Sequence, residues 1–176
     1  MIALLLAAVV AAPWDLALAP ESEPGRKLVI TGVVRTAPGS PPLAGVSVYA
    51  YHADGNGLYS RKGEESKGPR LAGTLMTGRN GAYRLRTVFP GTYGGPPHVH
   101  FEVWGKGIPR RAFTLNLASP QLAVPVTPTS DSNWVQRAIE ERHPAVDGLK
   151  VATRNAKGEL LVHYDLVLKD GFLVRK

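Results

Sequence analysis

Turn chemistry recurs along this chain often enough to leave room for short strands and little else. Asp54-Gly55-Asn56-Gly57, Arg79-Asn80-Gly81, Pro90-Gly91 and Asn155-Ala156-Lys157-Gly158 are residue clusters that fix φ or tolerate left-handed backbone. Between them the apolar residues recur mostly with period two, which is the strand period. This pattern predicts strands over residues 28–34, 46–51, 71–77, 83–87, 98–104, 111–117, 149–154 and 160–168. One helix is predicted over 133–142, with Asp131 or Ser132 able to cap its start and Pro144 just past its end. Strands at this spacing imply an all-β sandwich or barrel. The 19 glycines and 15 prolines are spread along the chain, in keeping with many turns. A chain of 176 residues is long enough for one domain with a real core.

Residues 2–12, IALLLAAVVAA, form an apolar run too short to span a bilayer as a helix. With an Ala17-Leu18-Ala19 cleavage motif, residues 1–19 read as a secretory signal peptide. Residues 20–176 then form the mature domain, secreted or periplasmic, with a cytoplasmic location as the alternative. The formal net charge is +7. No basic run exceeds two residues and no nucleic-acid motif is present, so the charge reads as a solvated basic surface and no nucleic-acid partner is expected. No stable membrane span is expected either. The chain has no cysteine, which excludes disulfides, thiolate metal sites and thiol nucleophiles.

His98 and His100 stand two apart on a predicted strand, so both imidazoles face one side. Any metal they hold needs oxygen or nitrogen donors for its other ligands. Glu102 is on the same face. The alternative is tyrosinate from Tyr59, after a glycine-rich turn, and Tyr93, in the turn Pro90-Gly91-Thr92-Tyr93. A phenol is a poor ligand until a hard trivalent cation drives off its proton. Two phenolates, one hydroxide and two neutral imidazoles would leave such a cation with no net charge, which suits a site screened from water.

The wider context of these residues resembles the intradiol ring-cleaving dioxygenases. Residues 45–59 (GVSVYAYHADGNGLY) resemble the strand and Asp/Gly-rich turn that precede the family's first ligand tyrosine. Residues 78–93 (GRNGAYRLRTVFPGTY) resemble its hairpin and Pro-Gly-x-Tyr turn. Residues 97–101 (PHVHF) resemble its paired histidines, and 164–168 (YDLVL) its closing strand. The resemblance implies a prealbumin-like β-sandwich with long loops. It also implies a non-haem Fe(III) held by Tyr59, Tyr93, His98 and His100, and a dihydroxyaromatic substrate cleaved with O2 to a muconate-type diacid. Tyr93, displaced by substrate, would act as proton acceptor. The family's arginine three residues before the first histidine is replaced here by Gly95, leaving Arg70, Arg79, Arg110 and Arg111 as candidate substitutes. An oligomer is compatible with the resemblance.

Blander roles account for the other candidates. His52 reads as a half-buried structural histidine, His143 as a helix-end cap and His163 as a network residue. Glu102 reads as a carboxylate that either orients a ligand histidine or faces solvent. Trp104, Trp134 and Phe101 read as core, with the rim of a substrate pocket as the alternative. Two other functions compete: a non-catalytic binding or assembly module on the same scaffold, and a divalent-metal hydrolase using His98, His100 and Glu102.

Overall fold

The computed structural model describes residues 12–92, 95–118 and 149–174. Among them are twelve strands and no α-helix: β1 (Asp15–Ala17), β2 (Lys27–Arg35), β3 (Ser47–His52), β4 (Leu71–Met76), β5 (Ala82–Val88), β6 (His98–Gly105), β7 (Ile108–Ala118), β8 (Lys150–Val151), β9 (Thr153–Arg154), β10 (Leu160–His163), β11 (Leu166–Val167) and β12 (Phe172–Leu173). They form two sheets. The first runs β1-β5-β2-β10-β9, with β11 also on β2; the second runs β12-β7-β6-β3-β4, with β8 also on β7.

Alternation dictates what each sheet buries. Leu28 and Ile30 of β2, Tyr83 and Leu85 of β5, and Leu160 and Val162 of β10 point inward from the first sheet. They meet Val48 and Ala50 of β3, Val99, Phe101 and Val103 of β6, and Phe113, Leu115 and Leu117 of β7. Each fully buried Leu, Val or Phe contributes about 1.5–3 kcal/mol by leaving water. The Tyr83 hydroxyl escapes the penalty of burial by donating to the Tyr164 carbonyl at 2.5 Å.

The predicted strands are found with three adjustments. Residues 160–168 divide at Tyr164 into β10 and β11, and 149–154 divide into β8 and β9. The third is β1, which lies in the segment read as a leader. It pairs in parallel with β5 from Asp15↔Arg84 to Ala17↔Arg86, and Leu18 and Ala19 are buried behind it. A cut after Ala19 would therefore remove a strand of the sheet. The helix predicted over 133–142, with Trp134 and His143, lies outside the described residues.

His52 is fully buried rather than half-buried. Its Nδ1 donates to the Ala53 carbonyl at 2.6 Å, and its Nε2 accepts from the Thr87 hydroxyl at 2.7 Å. Burial pushes its pKa down to about 4, against a smaller opposing pull from the Ala53 carbonyl. The unfolded chain takes up this proton near pH 6.5 and the folded one does not. Stability is therefore full above pH 6.5 and falls as pH drops towards 4, by about 3 kcal/mol. Denaturation midpoints at pH 7, 5.5 and 4 should show this slope, and His52→Gln should flatten it. An unchanged slope in the variant would assign the effect elsewhere.

Candidate metal centre

The register of the second sheet builds the site. Val99, Phe101 and Val103 take the core side of β6, so His98, His100 and Glu102 must face outward. His100 lies opposite Tyr51 of β3 on one side and Thr114 of β7 on the other. The two imidazole centroids are 4.7 Å apart.

Tyr59 reaches the histidines from the loop after β3. The Asp54 carboxylate accepts from the backbone N–H groups of Asn56 at 2.9 Å and Leu58 at 3.0 Å. The Asp54 N–H donates to the Leu58 carbonyl at 2.8 Å, closing the turn that aims Tyr59. Burial works to raise the Asp54 pKa, but Arg70 and those two N–H groups outweigh it and hold the carboxyl below its ordinary range. Arg70 also pairs with Glu23 at 2.6 Å, and its backbone N–H donates to the Tyr59 carbonyl at 2.8 Å.

The Tyr59 hydroxyl lies 3.1 Å from His98 Nε2. His98 Nδ1 lies 2.8 Å from the Pro96 carbonyl, which can only accept, so Nδ1 carries the proton. With that proton on Nδ1, Nε2 is left to accept from the phenol. This is the tautomer a metal-ligating histidine needs. Burial first, and then neighbouring His98, lower the His100 pKa to about 4, so His100 is neutral at pH 7. Its Nδ1 has a long contact of 3.4 Å with the Thr114 hydroxyl.

Tyr93 lies outside the described residues, but its preceding residue does not. A Cβ on Gly57, where φ is +82°, would overlap the Thr92 carbonyl, and one on Gly91 would overlap the Gly57 nitrogen. The Gly91 N–H donates to the Asp54 carbonyl at 2.8 Å. The loop bearing Tyr59 and the one leading into Tyr93 are thus in backbone contact, which only glycine permits. Gly57→Ala should cost about 2 kcal/mol through strained φ and forced separation of the loops. It should also weaken metal retention, checked by a denaturation curve and a metal titration; a fully stable variant would show that the contact is slack.

The structure therefore brings together Tyr59, His98 and His100 of the four expected ligands. Their donor set, neutral imidazoles and a phenol with no thiolate, suits a hard trivalent cation. Glu102 turns instead to Arg110, at 3.1 Å. No group of three His, Cys, Asp or Glu comes together among the described residues, so the hydrolase reading has no site there. Of the candidate arginines, Arg70 is held by Glu23 and Asp54, and Arg111 donates to the Gly171 carbonyl. Arg110 stacks on Trp104 at 4.0 Å. That places Trp104, half-buried, on the outer face of the sheet rather than in the core. Phe101 is core, and exposed His163 pairs with Asp165 at 3.1 Å.

Sequence reasoning missed Tyr51. Its ring stacks on His100 with centroids 4.7 Å apart, and burial, then the Glu102 carboxylate and Tyr49, raise its pKa. The usable signal was the Tyr49-Ala50-Tyr51 alternation, which places both phenols on the face opposite His52. A cavity of about 540 Å³ is lined by Tyr59 together with Gly57, Leu58, Ser60, Lys62 and Glu65.

Comparison with known proteins places the chain among ring-cleaving dioxygenases. The chain is 41% identical over 81 residues to catechol 1,2-dioxygenase 1 of Acinetobacter lwoffii, covering 44% of this chain and 25% of that one. It is 33% identical over 115 residues to catechol 1,2-dioxygenase of Acinetobacter baylyi, covering 53% and 37%. The chain thus spans well under half the length of these relatives. The dioxygenase domain of a dioxygenase carbohydrate-binding protein fusion from Streptomyces sp. SirexAA-E superposes with a TM-score of 0.61 at 25% identity, covering 86% of this chain and 85% of that one. The model of the family described as Dioxygenase matches residues 12–170. The chain belongs to the intradiol ring-cleavage dioxygenase family.

Proposed function

We propose that this chain is a non-haem Fe(III) intradiol dioxygenase. It cleaves the bond between the two hydroxylated carbons of a catechol-type ring, using O2, to give a muconate-type diacid. The observation that carries the reading is the Tyr59 hydroxyl set 3.1 Å from a His98 whose other nitrogen is held by the Pro96 carbonyl. Tyr59, Tyr93, His98 and His100 would hold the iron, which when bound supplies Lewis acidity and a template for the substrate's two oxygens. The Pro96 carbonyl keeps His98 in the ligating tautomer. Tyr51 walls the site on the His100 side. Tyr93 takes a proton from a substrate hydroxyl.

Loading the purified protein with Fe(III) should produce a broad visible band from tyrosinate-to-iron charge transfer. Oxygen uptake with catechol, hydroxyquinol and protocatechuate should follow. A colourless protein that holds no iron overturns the reading.

Gly95, in place of the family's arginine, favours the second reading, a non-catalytic module. A Cβ there would meet nothing within 4 Å among the described residues, so the position accepts a side chain, but glycine brings no charge to it. Iron-loaded protein that takes up no oxygen with any of the three substrates would favour the module. Export is likewise proposed on the apolar run of residues 2–12. Met1 retained in N-terminal sequencing of exported protein would sink leader cleavage.

A further inference from the structure

The outer face of the second sheet carries more aromatic surface than a solvated sheet face needs. Outward positions of an antiparallel sheet are ordinarily polar. Here Val48 and Ala50 on β3, with Phe101 and Val103 on β6, take the core side, which forces Tyr49, Tyr51 and Trp104 to the outside. The cross-strand pairs are Tyr51↔His100, Tyr49↔Glu102 and Ser47↔Trp104. These side chains form a strip that starts at the histidine pair. Tyr51 stacks on His100 at 4.7 Å, lies 6.2 Å from Tyr59, and is followed by Tyr49 at 5.5 Å. All three steps lie in the range over which aromatic rings attract one another. Trp104, with Arg110 over its face, ends the strip about 20 Å along the strand from His98.

Tyr49, Tyr51 and Trp104 are each half-buried, so ring surface is available along the strip. The outward neighbours on β4, Ala72 and Thr74 opposite Tyr51 and Tyr49, are short and leave room above the phenols. The run of rings from His100 through Tyr51 to Tyr49 leads away from the site where a catechol would sit and suits a ligand with a further ring beyond the reacting one.

We propose that this strip binds the non-reacting part of the substrate, and that the substrate class is a catechol joined to a second aromatic ring rather than free catechol. The inference rests on the ring-cleavage reading for its reacting half. The strip itself is a property of β3 and β6. A distal ring stacked over Tyr51 and Tyr49 gains contact that a single ring cannot make, so it tightens binding without touching the chemistry.

The test compares two activities and two affinities. With Fe(III)-loaded protein, kcat/KM for oxygen uptake is measured for biphenyl-3,4-diol and for catechol. Separately, binding of 4-phenylphenol and of phenol, neither of which carries the vicinal diol, is followed by calorimetry. The two-ring compound is expected to be favoured about tenfold in each pair. Tyr49→Leu keeps apolar bulk and removes the ring, and should cut both preferences to about twofold. Tyr49→Val, β-branched and so suited to a strand, is the second variant should the first fold poorly. Preferences unchanged in both variants overturn the strip, and brisk turnover of both diols in that case leaves ring cleavage standing. Absence of turnover, with 4-phenylphenol binding still dependent on Tyr49, supports the strip while removing the ring-cleavage reading.

Discussion

His98→Ala is expected to abolish the visible band of the iron-loaded protein and to lower its oxygen uptake by about a thousandfold, the equivalent of about 4 kcal/mol of transition-state stabilisation. The size of the effect follows from position. His98 is the residue through which Tyr59 and the β6 strand meet, with one nitrogen 3.1 Å from the phenol and the other 2.8 Å from the Pro96 carbonyl. Alanine removes a ligand and leaves the phenol without its acceptor. Tyr59→Phe should weaken and shift the band, because it removes one of the two phenolates while keeping the ring. His163, on β10 of the other sheet and 69% exposed at its side chain, supplies the control, and His163→Ala should keep both colour and uptake. Iron content and colour retained in His98→Ala would refute the ligand assignment.

Arg70→Ala is expected to destabilise the fold by about 3 kcal/mol, lowering the melting temperature by about 10 °C for a domain of this size. The Glu23 and Asp54 side chains that flank Arg70 are only 8% and 9% exposed. Without the guanidinium, two carboxylates face each other with little water to solvate them. The Arg70 hydrogen bond first, against some desolvation, holds Glu23 below its ordinary pKa, and Asp54 is shifted the same way. Both folded-state values are depressed. The stability they contribute is therefore present above the carboxylate range and is lost as pH falls through their folded pKa values. The gap between wild type and Arg70→Ala should accordingly be widest near pH 7 and should narrow as both carboxyls protonate. Asp54 also closes the turn that aims Tyr59, so this variant should bind Fe(III) less tightly than its stability loss alone explains. A melting temperature within 2 °C of wild type would show the cluster to be energetically idle.

Much of the site was legible because strand alternation is a local rule. Once Val99, Phe101 and Val103 are recognised as core, His98 and His100 share the opposite face without further information. The Asp54–Gly57 turn was legible for the same reason, since Asx chemistry and a left-handed glycine act within a few residues. The role of Arg70 was not. Its partners lie 47 and 16 residues away, and no local pattern separates it from Arg79 or Arg110 as a substitute for the arginine replaced by Gly95. Trp104 was read as core in preference to pocket rim because large aromatics are usually buried, yet its outward register puts it under Arg110. The strand Asp15–Ala17 was not read, because it runs into the Ala17-Leu18-Ala19 motif, and that motif after an apolar run reads as a leader in preference to a strand.

The sequence by itself determined the all-β class, the segments that become strands, and the residue types able to hold a hard cation. These depend on period-two patterning and turn chemistry, which act over short stretches of chain. The tertiary structure decided which segments pair and in what register. It also decided the seating of Gly57 against Thr92, the closing of Arg70 on Glu23 and Asp54, and the placing of Tyr51 on His100. Those contacts join residues far apart in the chain, and the energy that selects them comes from packing two sheets around one core.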